Sequence, residues 1–386
     1  MKLGRNVLVL SSTVFFILVA LFSWYYLFPL YLKELGATES QIGLLYTLFT
    51  LSFTLLQLVG GVLSDRIGRK KCIVWPTYVY ALALFFTALS GNWLGASIFY
   101  LAGNLASAVQ MPSFTAMVSE STERKGQAFS IFETFVAFGL ATGPLVGGLL
   151  LPFISIRGLI FVTSLVVLLS GFIRHLLLEE RNFSKESGTR FSLSGPFPKP
   201  YMIFLLAGSL MYLIFSLTSN GPFLTLFGSE MLGLKKSTIN FYFAAGTYIG
   251  ALSSLIFSDL PEIVGARRIL GLCFFAIPTF VILWSHTGHP LFFFLALPFV
   301  HWAYITYQIV LTDLSPSDKR GTGIGLFGTI TGLVGSAGPF VGMRFKLHLG
   351  PRAPFYLALV LGIAAIPFLL RSEKTTPPPS QTGPLY

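Results

Sequence analysis

The sequence predicts an all-α membrane protein whose twelve transmembrane helices form two pseudo-symmetric six-helix bundles. Three observations predict this fold: a low content of charged residues, twelve long apolar segments, and a repeat that relates the two halves of the chain. The 386 residues are 54% hydrophobic and only 11% charged. Soluble domains carry about 25% charged residues, so the composition excludes both a soluble globular domain and a disordered chain.

The apolar segments are each about 18 to 25 residues long, enough to cross roughly 30 Å of hydrocarbon. They are expected near residues 7–32, 41–63, 72–90, 93–117, 128–151, 158–178, 201–227, 239–258, 269–286, 290–312, 322–343 and 354–371. The first has no small-residue cleavage site before Lys33 and is interpreted as a span, not a signal peptide. Cys72 and Cys273, the two cysteines, predict neither a disulfide nor a thiolate metal site.

The distribution of basic residues predicts the orientation of the chain. An even number of spans places both termini on one side, and 19 of the 26 Lys and Arg residues fall on that side. Because basic loops stay in the cytoplasm, both termini are expected there, in a plasma membrane of the bacterial or archaeal inner-membrane type. The net charge of +11 would also suit a nucleic-acid-binding protein. The charges are spread over all the inner loops, however, so no nucleic-acid partner is expected.

Four pairs of matching segments indicate an internal repeat at offsets of 194 to 197 residues. The pairs are 35–42 with 232–239, Ser64-Asp65 with Ser258-Asp259, 123–126 with 318–321, and 143–147 with 338–342. The repeat predicts an N-terminal bundle, a cytoplasmic linker, a C-terminal bundle and a disordered Pro-rich tail, at residues 1–178, 179–200, 201–371 and 372–386. Parallel repeats of this kind occur in transporters, with the substrate site between the bundles near the midplane.

The loop after the second predicted span reads Gly61-Val62-Leu63-Ser64-Asp65-Arg66-Ile67-Gly68-Arg69-Lys70. An aspartate at a helix end can pair with basic groups or face the N-terminus of another helix, and a tight turn needs the second glycine. The loop resembles the signature loop of the major facilitator superfamily (MFS), and the resemblance implies a gating role. The alternative is a charged turn that only sets topology. The positions that match the family pattern are Gly61, Asp65, Arg66, Gly68 and Arg69.

The fifth predicted span carries glycines at every fourth position, Gly139, Gly143 and Gly147, together with Pro144. Such glycines let another helix approach closely, and the proline removes a backbone hydrogen bond and permits a bend. The pattern resembles the span-five motif of antiporter members of the superfamily, which favours export. Helix packing alone remains the alternative and would suit either direction of transport.

Glu133 and His301 are the two ionisable side chains that the sequence places clearly inside the spans, where such groups are costly and informative. Glu133 is a candidate for proton coupling, and the alternative is an ion pair with the basic signature loop. His301 could carry a proton near neutral pH, and the alternative is a neutral, hydrogen-bonded histidine; in both cases it is expected to line a substrate pocket. Its spacing to Tyr304 and Gln308 places all three on one face of the tenth span.

In MFS members the first, fourth, seventh and tenth spans line the central cavity, so the resemblance implies a substrate pocket there. No Lys or Arg is expected at mid-depth, which argues against a strongly anionic substrate. The seventh span also contains Ser219-Asn220-Gly221-Pro222, a predicted helix break. The candidate substrate-binding residues are Tyr26, Tyr100, Asn104, Gln110, Asn220, His301, Tyr304 and Gln308.

These features predict a monomeric secondary active transporter that works by alternating access. The first hypothesis is proton-coupled efflux of small amphipathic or drug-like compounds, with protons and the lipid bilayer as further partners. The alternative is an uptake symporter or uniporter for a sugar or other neutral metabolite, whose hydroxyls Asn104, Gln110 and Gln308 would bind. The sequence has no HExxH pattern, no P-loop and no nucleophile at a plausible spacing from a base. Neither enzyme activity nor a metal or cofactor is therefore expected.

Overall fold

The computed structural model describes residues 4–180, 197–315 and 320–372. Most of the predicted linker, residues 318–319 of the repeat and the tail beyond Ser372 lie outside these ranges, and the domain boundaries stay predictions. The described chain forms fifteen α-helices. They are α1 Arg5–Phe22, α2 Phe28–Glu34, α3 Glu39–Ile67, α4 Arg69–Leu89, α5 Trp93–Glu120, α6 Lys125–Leu150, α7 Ile156–Leu177, α8 Lys199–Leu217, α9 Phe223–Glu230, α10 Lys236–Ile256, α11 Ala266–Thr287, α12 Pro290–Leu314, α13 Arg320–Ser336, α14 Gly338–Leu349 and α15 Ala353–Arg371.

Within the described residues, eleven segments are long and apolar enough to cross a membrane, and each corresponds to a predicted span. The remaining predicted span is α5, which has ample length at 28 residues. Polar residues such as Ser97, Asn104 and Gln110 lower its mean hydropathy. Because α5 packs lengthwise against both α3 and α4, it completes the first bundle as predicted.

The helices pack as two bundles, α1–α7 and α8–α15, and the bundles meet along two seams. One seam joins α6 to α10, and the other joins α3 to α13 and α14. We call the side that carries the chain termini the terminal side and the other side the far side. On the terminal side, Arg5 pairs with Glu179 after α7, and Arg267 donates a hydrogen bond to Ser372 after α15.

The first and seventh spans are interrupted at equivalent places. In the seventh, α8 ends at Leu217 and α9 begins at Phe223, which confirms the predicted break. In the first, α1 ends at Phe22, and a short 3₁₀ turn over Tyr25–Leu27 precedes α2. Each interruption frees backbone carbonyls that need partners in a membrane interior, and discontinuous helices of this kind mark the sites of many transporters.

Candidate functional site

Four charged side chains close the far side between the two bundles. Nζ of Lys33 lies 2.5 Å from Glu230 Oε1 and 3.4 Å from Glu39 Oε1. Nζ of Lys346 lies 2.8 Å from a carboxylate oxygen of each of the same two glutamates. Lys33 and Glu39 belong to the first bundle, and Glu230 and Lys346 belong to the second. The four form a cycle of alternating charges, which we call the four-charge ring. Two of its four pairs, Lys33–Glu230 and Lys346–Glu39, join the bundles.

The four-charge ring is partly shielded from water. The side chain of Lys346 is only 8% exposed, so its two ion pairs are screened less by salt than surface pairs are. Burial by itself would raise the pKa of Glu230, but the hydrogen bonds and charges of Lys33 and Lys346 outweigh it and hold that pKa below its ordinary value. Glu34 and Lys236 form a further ion pair across the bundles next to the ring.

A layer of hydrogen bonds lies below the ring and uses the carbonyls that the break in the first span sets free. Asn240 of α10 donates to the carbonyl oxygen of Ser23 at 2.6 Å. Thr225 of α9 donates to the carbonyl oxygen of Tyr26 at 2.7 Å, and the Tyr26 ring stacks on Phe243 with centroids 3.8 Å apart. Tyr26, a predicted pocket residue, therefore lies in the contact that seals the far side.

The glycines of the fifth span allow α6 to approach both α1 and the second bundle closely. A Cβ on Gly143 would lie 2.6 Å from Phe22 Cβ. On Gly147 it would lie 2.0 Å from the Ser23 carbonyl oxygen and 2.5 Å from Asn240 Nδ2. The repeat-related Gly338 approaches α8 in the same way. The predicted close approach at this motif is confirmed, and Gly147 lies where three segments meet.

The signature loop forms an ionic network on the terminal side. Arg69 pairs with Asp65 at 2.5 Å and with Glu120 at 3.2 Å. The Glu180 carboxylate accepts hydrogen bonds from the backbone N–H groups of Arg69 and Lys70. Gly68 has φ +98°, a conformation that favours glycine, so the predicted need for glycine in this turn is confirmed.

Gly60 and Gly61, which stand where this loop sequence begins, differ in their surroundings. A Cβ on Gly61 would come no closer than 4.0 Å to Pro112, so close packing does not require this glycine. On Gly60 a Cβ would lie 2.4 Å from the carbonyl oxygen of Val109 in α5. The sequence pattern singled out Gly61, but the adjacent Gly60 is the one that permits helix contact.

Aromatic and amide groups from α8 and α12 form a cluster in the second bundle. Tyr212 Oη lies 3.5 Å from Tyr307 Oη, and Gln308 donates to Tyr307 at 2.8 Å. The Tyr304 ring stands edge-on to Tyr307, and 57% of its surface is exposed. The sequence analysis missed Tyr212 and Tyr307, although Tyr307 lies next to Gln308 in the predicted polar stripe.

Glu133 projects from α6, and its side chain is exposed. It lies within electrostatic range of Tyr304 on α12, although the two residues belong to different bundles. In the part of the chain that the structure describes, Glu133 forms no ion pair, whereas Arg69 of the signature loop pairs with Asp65 and Glu120.

The other predicted pocket residues have mixed surroundings. Asn220 is exposed in the break between α8 and α9, whereas His301 packs so tightly on α10 that a Cβ on Gly250 would lie 2.2 Å from its ring. Tyr100 is buried, with its ring centroid 4.4 Å from that of Phe28. Asn104 donates to the Phe49 carbonyl at 2.7 Å. Tyr100 and Asn104 therefore hold the first bundle together.

Gln110 does not face the second bundle, because it belongs to a buried cluster around Arg174. Arg174 is 1% exposed and donates hydrogen bonds to Thr13 at 3.0 Å, Thr77 at 2.9 Å and Gln110 at 3.4 Å. It also packs over the ring of Phe114. The prediction that Glu133 and His301 are the ionisable groups inside the spans stays a prediction, and the sequence did not single out Arg174, which α7 buries among neutral groups. Arg174 lies close to the end of α7, where a basic residue is typical of a topology signal.

Arg174→Ala is expected to destabilise the protein by about 2 to 4 kcal/mol, because it leaves a void and removes charge-assisted hydrogen bonds to three helices. Thermal unfolding of the purified protein would measure the change. Arg174→Met fills more of the void and should lose less, which separates packing from hydrogen bonding. Arg124→Ala, at an exposed position on the terminal side, is the control. Equal unfolding midpoints for Arg174→Ala and this control would refute the structural role.

Two related bundles, interrupted at equivalent helices and joined on one side by ion pairs and hydrogen bonds, have the architecture of a membrane transporter built from parallel repeats. The family model of the Major Facilitator Superfamily matches residues 9–339 and 206–384. The chain therefore belongs to the Major Facilitator Superfamily, as the signature loop predicted.

Similar proteins agree with this assignment. The chain is 22% identical to the Quinolone resistance protein NorA of Staphylococcus aureus, over 96% of this chain and 97% of that protein. It is 30% identical, over 48% of each chain, to an uncharacterized MFS-type transporter of Methanocaldococcus jannaschii. The nucleoside transporter NupG matches with a TM-score of 0.80 at 14% identity, covering 96% of this chain and 100% of that one. The POT family transporter PepTSo matches with 0.76 at 12% identity, covering 96% and 97%. At such identities the two structures support the fold alone.

Proposed function

We propose that this MFS transporter is a monomeric, proton-coupled exporter of small amphipathic or drug-like compounds. We place it in the plasma membrane with both termini in the cytoplasm, so that the far side is the outer side. The observation that carries the proposal is Glu133, an exposed carboxylate without an ion-pair partner among the described residues. The similarity to a quinolone resistance protein over nearly the whole chain adds support.

The carboxylate of Glu133 supplies a physical basis for the exchange of a proton for a substrate molecule. An ionised carboxylate is tolerated while water reaches it but is costly when the cavity closes and the water leaves. Either a proton or a positively charged substrate group would neutralise the carboxylate before the two bundles change their relative orientation. If the proton and the substrate compete for the carboxylate, entry of a proton displaces the substrate, and proton entry is linked to substrate exit. The nearby tyrosines would provide the aromatic contacts that an amphipathic substrate needs.

The conformational cycle would open the far side and close the terminal side. The four-charge ring and the contacts around Ser23 and Tyr26 must separate for the substrate to leave on the far side. On the terminal side, the signature loop would help to hold the closed state, with Asp65, Arg66 and Arg69 as the gating residues that the family resemblance implies. His301 remains a second candidate for coupling.

Glu133→Gln is expected to remove the proton dependence of transport. The amide has the shape of the acid but cannot exchange a proton, and losing a required proton-transfer group lowers rates by about 100-fold or more. The measurement is extrusion of a fluorescent drug-like compound from proteoliposomes, with and without an imposed pH gradient. His301→Ala, assayed in the same way, tests the second candidate.

Glu123→Gln removes an exposed carboxylate close to Glu133 in sequence and is the matched control. Gradient-driven transport by Glu133→Gln at the control's rate would disprove coupling through this residue. Counterflow of labelled sugars would instead support the uptake alternative. The structure weighs against that alternative, because two of its three amides are engaged inside the first bundle: Asn104 bonds to Phe49 and Gln110 to Arg174.

A further inference from the structure

A basic pocket lies on the terminal side where α4 and α7 meet, outside the candidate transport pathway. It has a volume of about 440 Å³. Arg66, Lys70, Lys71 and His175 line it, together with Trp75 and Glu180. Arg66 comes from the last turn of α3, Lys70 and Lys71 come from the start of α4, and His175 comes from the last turn of α7.

The positive charge of this pocket is left unbalanced by the protein. Within the described ranges, neither Arg66, Lys70 nor Lys71 forms an ion pair. The one acidic residue in the lining, Glu180, directs its carboxylate to the backbone N–H groups of Arg69 and Lys70. The contrast with the far side is clear, because there each lysine of the four-charge ring contacts two carboxylates. The pocket is therefore complementary to an anionic group.

An exposed apolar surface continues from the pocket along α4 and α7. Trp75 is 61% exposed at the rim of the pocket, a position typical of tryptophan at a membrane interface. Tyr78 packs on Phe172 with ring centroids 5.5 Å apart, and its hydroxyl lies 3.2 Å from His175 Nδ1. The large apolar side chains exposed along the two helices are Val79, Leu82, Leu169, Phe172 and Leu176.

We propose that this pocket binds the headgroup of an anionic phospholipid whose acyl chains lie along the exposed apolar side chains of α4 and α7. A cationic pocket at one end and an exposed apolar surface at the other match the two parts of one lipid molecule. Basic pockets between membrane helices attract anionic headgroups through charge. A soluble anion would use the charges but would gain nothing from Trp75 or the apolar surface. Because Arg66 and Lys70 belong to the signature loop, the bound lipid would also stabilise the conformation of that loop.

The proposal is tested by thermal unfolding of the full-length protein in detergent with added lipid. Phosphatidylglycerol is expected to raise the unfolding midpoint, because a ligand of the folded state stabilises it. Phosphatidylcholine and inorganic phosphate should not. In the double variant Lys70→Gln, Lys71→Gln, the phosphatidylglycerol concentration for half the effect should rise roughly tenfold or more. The control is Arg124→Gln, Lys125→Gln, which removes two exposed basic residues on the same side.

Three outcomes would overturn the proposal. Equal stabilisation by phosphate would show that the pocket is a site for free anions. Equal stabilisation by phosphatidylcholine would show that the lipid needs no negative charge. An unchanged response of the Lys70, Lys71 variant would show that the lipid binds elsewhere. A second measurement does not depend on that variant folding. The emission of Trp75 is the part of the protein's fluorescence that is absent from the Trp75→Phe variant. Brominated phosphatidylglycerol should quench this emission at a lower mole fraction than brominated phosphatidylcholine does. Quenching at equal mole fractions would also contradict an anionic lipid site.

Discussion

Gly147→Ala is expected to stop transport by preventing closure of the far side. The added Cβ would lie 2.0 Å from the Ser23 carbonyl oxygen, and backbone at that distance cannot yield as a flexible side chain can. It would also approach the Asn240 amide, which makes the cross-bundle hydrogen bond to Ser23. Overpacking costs about 1 to 3 kcal/mol, and that amount shifts an equilibrium between two conformations roughly 5- to 150-fold.

The far-side opening in this variant can be measured directly. A cysteine placed at Thr47, whose hydroxyl accepts a hydrogen bond from the backbone N–H of Phe340 in the second bundle, would report exposure to a membrane-impermeant maleimide. The native cysteines, Cys72 and Cys273, are both buried. We expect faster labelling in Gly147→Ala than in the parent protein, together with transport near background. Thermal unfolding separates a folded but open variant from a misfolded one.

Gly126→Ala is the matched control, because this glycine lies in the same helix and a Cβ there would have no neighbour within 4 Å. It should transport and label like the parent protein. Gly143→Ala should have an intermediate effect, since its closest neighbour is the Cβ of Phe22 rather than a backbone atom. Wild-type transport by Gly147→Ala would show that this close contact does not limit the cycle.

The sequence predicts the spans, the repeat and the close helix contacts because each depends on local or periodic information. Span length follows from hydropathy, and the turn at Gly68 follows from the pattern of the loop. The break in the seventh span is visible as Gly221-Pro222. The break in the first span has no such signal over residues 23–27, where no glycine or proline occurs. It became visible only through the partners of the freed carbonyls of Ser23 and Tyr26.

The direction in which a side chain points is what the sequence could not supply. Gln110 and Asn104 lie on one helix, and both were assigned to the pocket by their polarity. The structure turns them toward partners in their own bundle, Arg174 and the Phe49 carbonyl. Arg174 itself was assigned to the topology signal, because a basic residue near a helix end usually remains in water. Three neutral partners on neighbouring helices, distant in sequence, make its burial possible.

One pair of the four-charge ring, Lys33 with Glu230, left a signal in the repeat. At the offset of 197 residues, Lys33 corresponds to Glu230 and Glu39 corresponds to Lys236. Each pair of equivalent positions carries opposite charges, although Lys236 lies outside the ring and pairs with Glu34. A pseudo-two-fold axis brings equivalent positions together where the bundles meet, so opposite charges attract and like charges would repel. Opposite charge at equivalent positions of an outer loop thus predicts a contact between the bundles.

Lys346→Glu is expected to open the far side, because it would place three carboxylates together and leave Lys33 as the one cation of the ring. Breaking a buried ion pair costs about 3 to 5 kcal/mol, more than the change expected for Gly147→Ala. The measurement is again maleimide labelling at Thr47→Cys, which should be fast in Lys346→Glu. Lys235→Glu reverses a neighbouring exposed lysine that has no ion pair within the described residues, and it should label slowly.

Acid should open the wild-type far side as well. The pKa of Glu230 lies below its ordinary value, so its ion pairs stabilise the closed state fully above about pH 4.5, the unshifted value for glutamate. That stabilisation is lost as the pH falls through the lowered pKa, and labelling at Thr47→Cys should rise over the same range. In Glu230→Gln the far side should already be partly open at neutral pH, and this residue's contribution to the acid response should vanish.

Reversing all four charges together tests whether the alternating pattern of charges, and not the identity of any one residue, holds the far side closed. The combination Lys33→Glu, Glu39→Lys, Glu230→Lys, Lys346→Glu restores an alternating cycle, and it should label almost as slowly as the parent protein. Three helix ends lose favourable charges in that variant, because Glu39 lies in the first turn of α3, and Lys33 and Lys346 lie in the last turns of α2 and α14. Each such change is worth about 0.3 to 1 kcal/mol, less than the ion pairs regained. If the fourfold variant labelled as fast as Lys346→Glu, then alternating charge in the ring would not be what holds the far side closed.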